Sequence, residues 1–73
     1  MKINTGSPII LVDSSGIELE DGTKGWAKNV AYVDKWYVWF MPVDSKEMYV
    51  ITADRLELDE EAVAAGLTLN QDT

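Results

Sequence analysis

The chain has 73 residues, with 13 acidic against 6 basic side chains, a net charge of −7, and neither cysteine nor histidine. That length accommodates one domain, spanning residues 1–73, and a chain this short buries only about 60% of its extended surface on folding. The composition excludes a disulfide framework, a thiolate nucleophile and a soft-metal site. It also removes the commonest general base at neutral pH and opposes the holding of a phosphate backbone. With 47% hydrophobic and 10% aromatic residues, the chain has the composition of a folded domain rather than a disordered one.

Met1 to Gly6 carries one lysine with no apolar run behind it, so no secretory leader is expected there. The apolar runs Pro8–Val12 and Val38–Pro42 fall far short of the roughly 20 residues that cross a bilayer. A cytoplasmic location is expected, which is the host cytoplasm if the protein is viral.

Turn signals punctuate short apolar runs, the pattern of a small all-β domain. Ile9-Ile10-Leu11-Val12 reads as a buried first strand, and Asp13-Ser14-Ser15-Gly16 as a turn. Ile17-Glu18-Leu19-Glu20 alternates apolar with acidic, so it reads as a half-buried strand closed by a type I′ turn at Asp21-Gly22. Strands follow over Thr23–Val33 and Trp36–Met41, joined at Asp34-Lys35, with Pro42 ending the second. Val43-Asp44-Ser45-Lys46 turns the chain into the strand Met48–Thr52. Ala53-Asp54-Arg55 makes one tight turn before the short strand Leu56-Glu57-Leu58.

Residues 59–66 read as a short helix with Asp59 as N-cap and Gly66 just past its end. Leu58, Ala62 and Leu69 are placed to share a face, which would lay the helix over one end of the sheet. Residues 67–73 form a polar tail, expected to fray.

This order of strands and turns resembles an SH3-like small β-barrel over residues 7–58, of about five strands, followed by the short C-terminal helix. The resemblance is carried by Gly25 with the alternation after it, by Tyr37-Val38-Trp39-Phe40, and by Ile51-Thr52-Ala53-Asp54-Arg55-Leu56. The basic loops of nucleic-acid-binding barrels are missing, and so is a proline-peptide groove signature. The resemblance therefore implies a fold and no activity.

With Asp34-Lys35 as the loop, Val33 pairs with Trp36, Tyr32 with Tyr37, Ala31 with Val38, Val30 with Trp39, Asn29 with Phe40 and Lys28 with Met41. Alternation then puts Ala27, Ala31, Val33, Trp36, Val38 and Phe40 on one face. Trp26, Val30, Tyr32, Tyr37, Trp39 and Met41 take the other, which holds four of the seven aromatic rings. A three-residue loop would shift the pairing by one and undo this assignment. A domain this small is not expected to cover both faces. The ring-rich face suits a contact surface, since Tyr and Trp concentrate at interface centres; the plainer alternative makes those rings part of the core.

Glu18, Glu20 and Asp21 cluster at one hairpin, and Glu60 and Glu61 stand beside Asp59 near the C-terminus. Helix-dipole stabilisation and ordinary solvation account for such acids. Beside exposed rings they also suit a cationic partner, through cation–π contact and attractive potential. Asp13–Glu18 lacks the ligand spacing of a calcium loop, and Gly22 and Gly25 lack the context of a phosphate loop. Ser14, Ser15 and Ser45 have no imidazole to activate them. Lys28 reads as a snorkelling lysine and Arg55 as a turn anchor paired with a neighbouring acid. No catalytic group, metal site or cofactor is expected.

The expectation is a non-catalytic protein-binding module, a small acidic inhibitor or accessory protein of the kind phages encode. It would engage a basic surface on a nucleic-acid-handling or host-defence protein through Trp26, Tyr32, Tyr37 and Trp39, framed by Glu18, Glu20, Asp21, Glu60 and Glu61. The alternatives are a homo-oligomer built on the aromatic face, or single-strand binding by base stacking, which the net charge disfavours.

Overall fold

The computed structural model describes residues 3–66. Its strands are β1 (Pro8–Leu11), β2 (Lys24–Tyr32), β3 (Trp36–Pro42), β4 (Tyr49–Thr52) and β5 (Leu56–Leu58), with a 3-10 turn at Ala53–Arg55 and a helix α1 (Glu60–Ala64). They form one antiparallel sheet in the order β4-β3-β2-β1-β5. The all-β reading thus holds, with its single short helix at the end. The expected tail at 67–73, and Leu69 with it, lies outside the described residues.

The sheet is not closed into a barrel, because β4 and β5 occupy opposite edges and do not pair with each other. Thr52 and Leu56 nevertheless flank a three-residue 3-10 turn, a link that spans at most about 14 Å. The sheet must therefore coil until its edges approach. Ile17, Leu19 and Ala53, on the connections that flank these strands, pack against the core.

β1 lies between β2 and β5, so both of its edges are occupied. β2, the partner across an Asp21-Gly22 turn, is likewise flanked by β1 and β3, so Ile17–Glu20 has no free edge there to pair with and is not a strand despite its alternation. Ile17, Glu18 and Leu19 are bends in a long connection from β1 to β2. The type I′ turn is also replaced. Glu20 to Thr23 closes a turn through Thr23 N–H donating to the Glu20 carbonyl at 3.2 Å, and Gly22 alone has positive φ, at 89°, which is the type II pattern.

Side chains tie this connection down. Asp21 accepts from the amide and hydroxyl of Ser14 at 2.9 and 2.6 Å, and Asp13 accepts from those of Ser15 at 3.0 and 2.7 Å. Arg55 donates to the Ser15 carbonyl and lies 3.8 Å from Asp13, pinning the connection to the 3-10 turn as the anchor role for Arg55 anticipates.

The β2–β3 hairpin has a three-residue loop, Val33 to Lys35, and pairs Tyr32 with Trp36, Ala31 with Tyr37, Val30 with Val38 and Asn29 with Trp39. An irregularity between Ala27 and Asn29 leaves Lys28 unpaired, and the register resumes with Ala27 opposite Phe40, Trp26 opposite Met41 and Gly25 opposite Pro42. The two-residue loop and its pairs are thereby corrected. Because the bulge inserts one residue, Ala27 and Val30 both face inward with Val38 and Phe40.

The core is Ile3, Ile9, Leu11, Ala27, Val38, Phe40, Ile51 and Leu56. Inward residues of β1, β3 and β4 alternate with outward ones, as the period of two requires. Val12, at the end of the expected buried run, is 45% exposed. Asp59 caps α1 by accepting from the Ala62 amide at 3.2 Å, and Gly66, at φ 78°, stops it. Asp59 N–H donates to the Pro8 carbonyl at 2.9 Å, which seats the helix beside β1. Among the described residues no helix is long and apolar enough to cross a membrane.

Candidate functional site

Strand β3 sends Val38, Phe40 and Pro42 inward and leaves Tyr37, Trp39 and Met41 half-buried on the opposite face. The ladder places side chains beside each of these three. Tyr37 lies between Ala31 and Thr52, Trp39 between Asn29 and Val50, and Met41 beside Trp26, which in turn pairs with Pro8. Cross-strand neighbours of this kind stand about 4.5–5.5 Å apart at Cβ, so Trp26, Met41, Trp39, Tyr37 and Ala31 share one mainly aromatic and apolar face, with Asn29 and Thr52 as its polar members. Val50, 57% exposed, extends it to the β4 edge.

This face differs from the expected one. Trp26, Tyr37 and Trp39 share it, but Tyr32 and Val30 do not, and Ala31 joins it from the side assigned to the core. Both shifts follow from the longer loop and the Lys28 bulge. Val33, expected inward, is 75% exposed in the loop. Tyr32 and Trp36 form a separate pair at the hairpin tip, their ring centroids 5.2 Å apart at 61°.

Beside Trp26 the face deepens into a groove of about 340 Å³ between the sheet and α1, lined by Pro8, Trp26, Val43, Glu61, Ala62 and Ala65. Lys24 and Asp59 stand at the same groove with their charged atoms 4.0 Å apart. Glu60 and Glu61 are exposed in the first turn of α1, so Glu61 is the acid from the expected set that meets an expected ring. Glu18, Glu20 and Asp21 are exposed on the β1–β2 connection. That connection turns Ile17 and Leu19 to the core and so covers the inner face, away from Trp39. Asp21 has a structural task as well, holding Ser14.

Hydrogen bonds adjust several titrations. The Asp21 and Asp13 carboxyls are held below their ordinary value by the serine hydroxyls and amides that donate to them. Tyr37 donates to Asp34 at 3.0 Å and Tyr49 to Glu47 at 3.1 Å, and each phenol is pushed up by its carboxylate partner because the neutral phenol is the donor. Among the described residues no group of three or more acidic side chains is arranged to hold a metal ion.

Val50 belongs to the Trp39 face and is not marked in the sequence, and Trp36, expected inward with Val38 and Phe40, is 40% exposed at the hairpin tip. Val50 sits in the unbroken run Tyr49-Val50-Ile51-Thr52, where no alternation marks the outward residue. Met41 carried a signal, being placed on the ring-bearing face already.

Comparison with protein-family models, with curated proteins and with solved structures finds no match for this chain.

Proposed function

We propose that the protein is a non-catalytic binding module that docks on a basic surface of another protein through the face built from Trp26, Tyr37, Trp39, Met41 and Val50. The observation that carries this reading is the continuity of that face. Three half-buried rings, a methionine and a valine adjoin one another across three strands, and Val50 among them is 57% exposed. Large amphipathic rings of this kind dominate interface energetics. A net charge of −7 and Glu61 beside Trp26 select a cationic partner and raise its encounter rate. An inhibitor or accessory protein acting on a basic, nucleic-acid-handling target fits this surface, and a phage origin fits so small and acidic a domain.

We propose on the same footing that the domain shares the strand topology of the SH3-like small barrels, with its sheet open between β4 and β5. The supports are the strand order β4-β3-β2-β1-β5, the long connection between β1 and β2, and the 3-10 turn linking β4 to β5.

The test is titration with a poly-lysine peptide, read by tryptophan fluorescence. Binding that weakens with salt and disappears in Trp39→Ala is expected. Binding indifferent to Trp39 overturns the assignment of the face. Sedimentation of the pure protein is expected to show a monomer; a dimer dissolved by Val50→Asp would make the face a self-association surface instead.

A further inference from the structure

The hairpin tip carries a second feature, centred on other rings than the Trp39 face and adjoining that face at Tyr37 and Thr52. Tyr32 and Trp36 are the last register pair before the loop, and they are 61% and 40% exposed. They lie outside the core cluster, so burial in the core does not account for two large rings there, which touch each other across the hairpin. Their edge-to-face arrangement, with centroids 5.2 Å apart and planes at 61°, borders a cleft of about 530 Å³ between the tip and the 3-10 turn. Asp34, Lys35, Thr52, Ala53 and Asp54 complete it.

Two carboxylates against one ammonium leave the cleft net negative. Among the described residues neither Asp34 nor Asp54 lies within ion-pair distance of a cation. Asp34 accepts a hydrogen bond from the Tyr37 hydroxyl at 3.0 Å, which fixes its position and leaves further lone pairs. Exposed rings with negative faces, edged by carboxylates, form an environment that favours a cation and rejects phosphate.

We propose that this cleft receives the guanidinium group of an arginine side chain presented by the partner protein. Guanidinium is planar and weakly hydrated, so it stacks on an indole while its N–H fork pairs with a carboxylate. A quaternary ammonium has no N–H for Asp54, and a lysine ammonium is a strongly hydrated point charge that stacks poorly. The inference deepens the proposed function, resting on its reading of a basic partner, but it concerns a cleft centred on other rings and stands or falls by separate variants.

The experiment is a two-dimensional amide NMR titration of the whole chain with N-acetyl-arginine amide, alongside the citrulline and lysine analogues. Saturable shifts at the Trp36 indole N–H and at the amides of Asp34 and Asp54 are expected with arginine. Citrulline, the neutral isostere, is expected to bind about tenfold more weakly or worse, and lysine to fall between. Trp36→Ala and Asp54→Asn are each expected to weaken arginine binding about fivefold or more, whereas Trp39→Ala leaves it unchanged.

Equal binding of citrulline, or arginine binding that survives both cleft variants, overturns the proposal. Loss of poly-lysine binding in Trp39→Ala with an inert cleft would refute this inference alone. The converse pattern would refute the outer-face reading and leave this one standing. Trp36 and Asp54 are both exposed, and Asp54→Asn preserves shape, so a folded variant is available for the decision.

Discussion

Gly25 and Phe40 meet with no room between them: a Cβ on Gly25 would lie 2.7 Å from Cε1 of the Phe40 ring and would collide with the Met41 carbonyl oxygen. The ring is fully buried and the second obstacle is backbone, so neither can yield cheaply. Gly25→Ala is expected to cost about 3 kcal/mol, the upper part of the range for overpacked cores. The midpoint of urea unfolding measures it, and an unchanged midpoint would show that β2 and β3 separate freely here.

Trp39 and Phe40 are chain neighbours on opposite faces, and truncation separates their roles. Phe40→Ala empties the centre of the core and is expected to cost about 3–5 kcal/mol. Trp39→Ala removes a half-buried ring and is expected to cost clearly less, while abolishing binding to the basic peptide. Equal losses of stability in the two variants would make Trp39 a core residue in solution.

The β1–β2 connection carries an acid-sensitive clasp. The carboxyls of Asp13 and Asp21 titrate below the ordinary 3.8 in the folded state because Ser15 and Ser14 donate to them. A depressed carboxyl stabilises the fold above its unfolded value and ceases to as pH falls through the folded one. Hydrogen-exchange protection of residues 12–23 is therefore expected to hold down to about pH 4 and to decline below it. Asp21→Asn should lower that protection at neutral pH and blunt the acid response.

Tyr37 has the opposite dependence. Its phenol titrates above the ordinary 10.0 because the neutral form donates to Asp34. That contribution is complete below the unfolded value and disappears as pH rises through the folded one. Asp34→Asn is expected to bring the Tyr37 transition back toward its ordinary value, followed by near-ultraviolet absorbance. A titration unmoved by the substitution would show that the bond does not persist in solution.

Asp59 holds α1 from one end, bonding the Ala62 amide by its side chain and the Pro8 carbonyl by its own N–H. Removing the carboxylate in Asp59→Ala is expected to cost about 0.5–2 kcal/mol. Since α1 buries none of its residues, the loss should appear as faster exchange in residues 60–66 with the sheet amides unaffected. Global unfolding instead would mean that the helix is integral to the core.

Much of this architecture was legible from residue order. Leu56-Glu57-Leu58, the Ala53–Arg55 turn and the Asp59 and Gly66 boundaries each rest on local chemistry, and local chemistry determines them. Ile17–Glu20 misled because alternation reports which side of a segment meets apolar surroundings, and Ile17 and Leu19 do pack on the core without any strand to pair with. The hairpin faces differ from the expected ones for a similar reason. Val33-Asp34-Lys35 contains no glycine to mark the loop, and nothing about Lys28 distinguishes a bulged lysine from a paired one. Trp26 and Trp39 nevertheless share a face as expected, since the loop and the bulge each displace the ladder by one residue in the same direction, and a total shift of two restores the parity at Trp26.

The unpaired Lys28 also makes the middle of this protein intolerant of changes in length. Deleting that residue, or adding one to the hairpin loop, would rotate a stretch of ribbon by half a turn and exchange what is wet for what is dry. The connection between β1 and β2 has no such parity to keep. Natural relatives of this chain should therefore differ in size ahead of Lys24 far more than between Lys24 and Pro42.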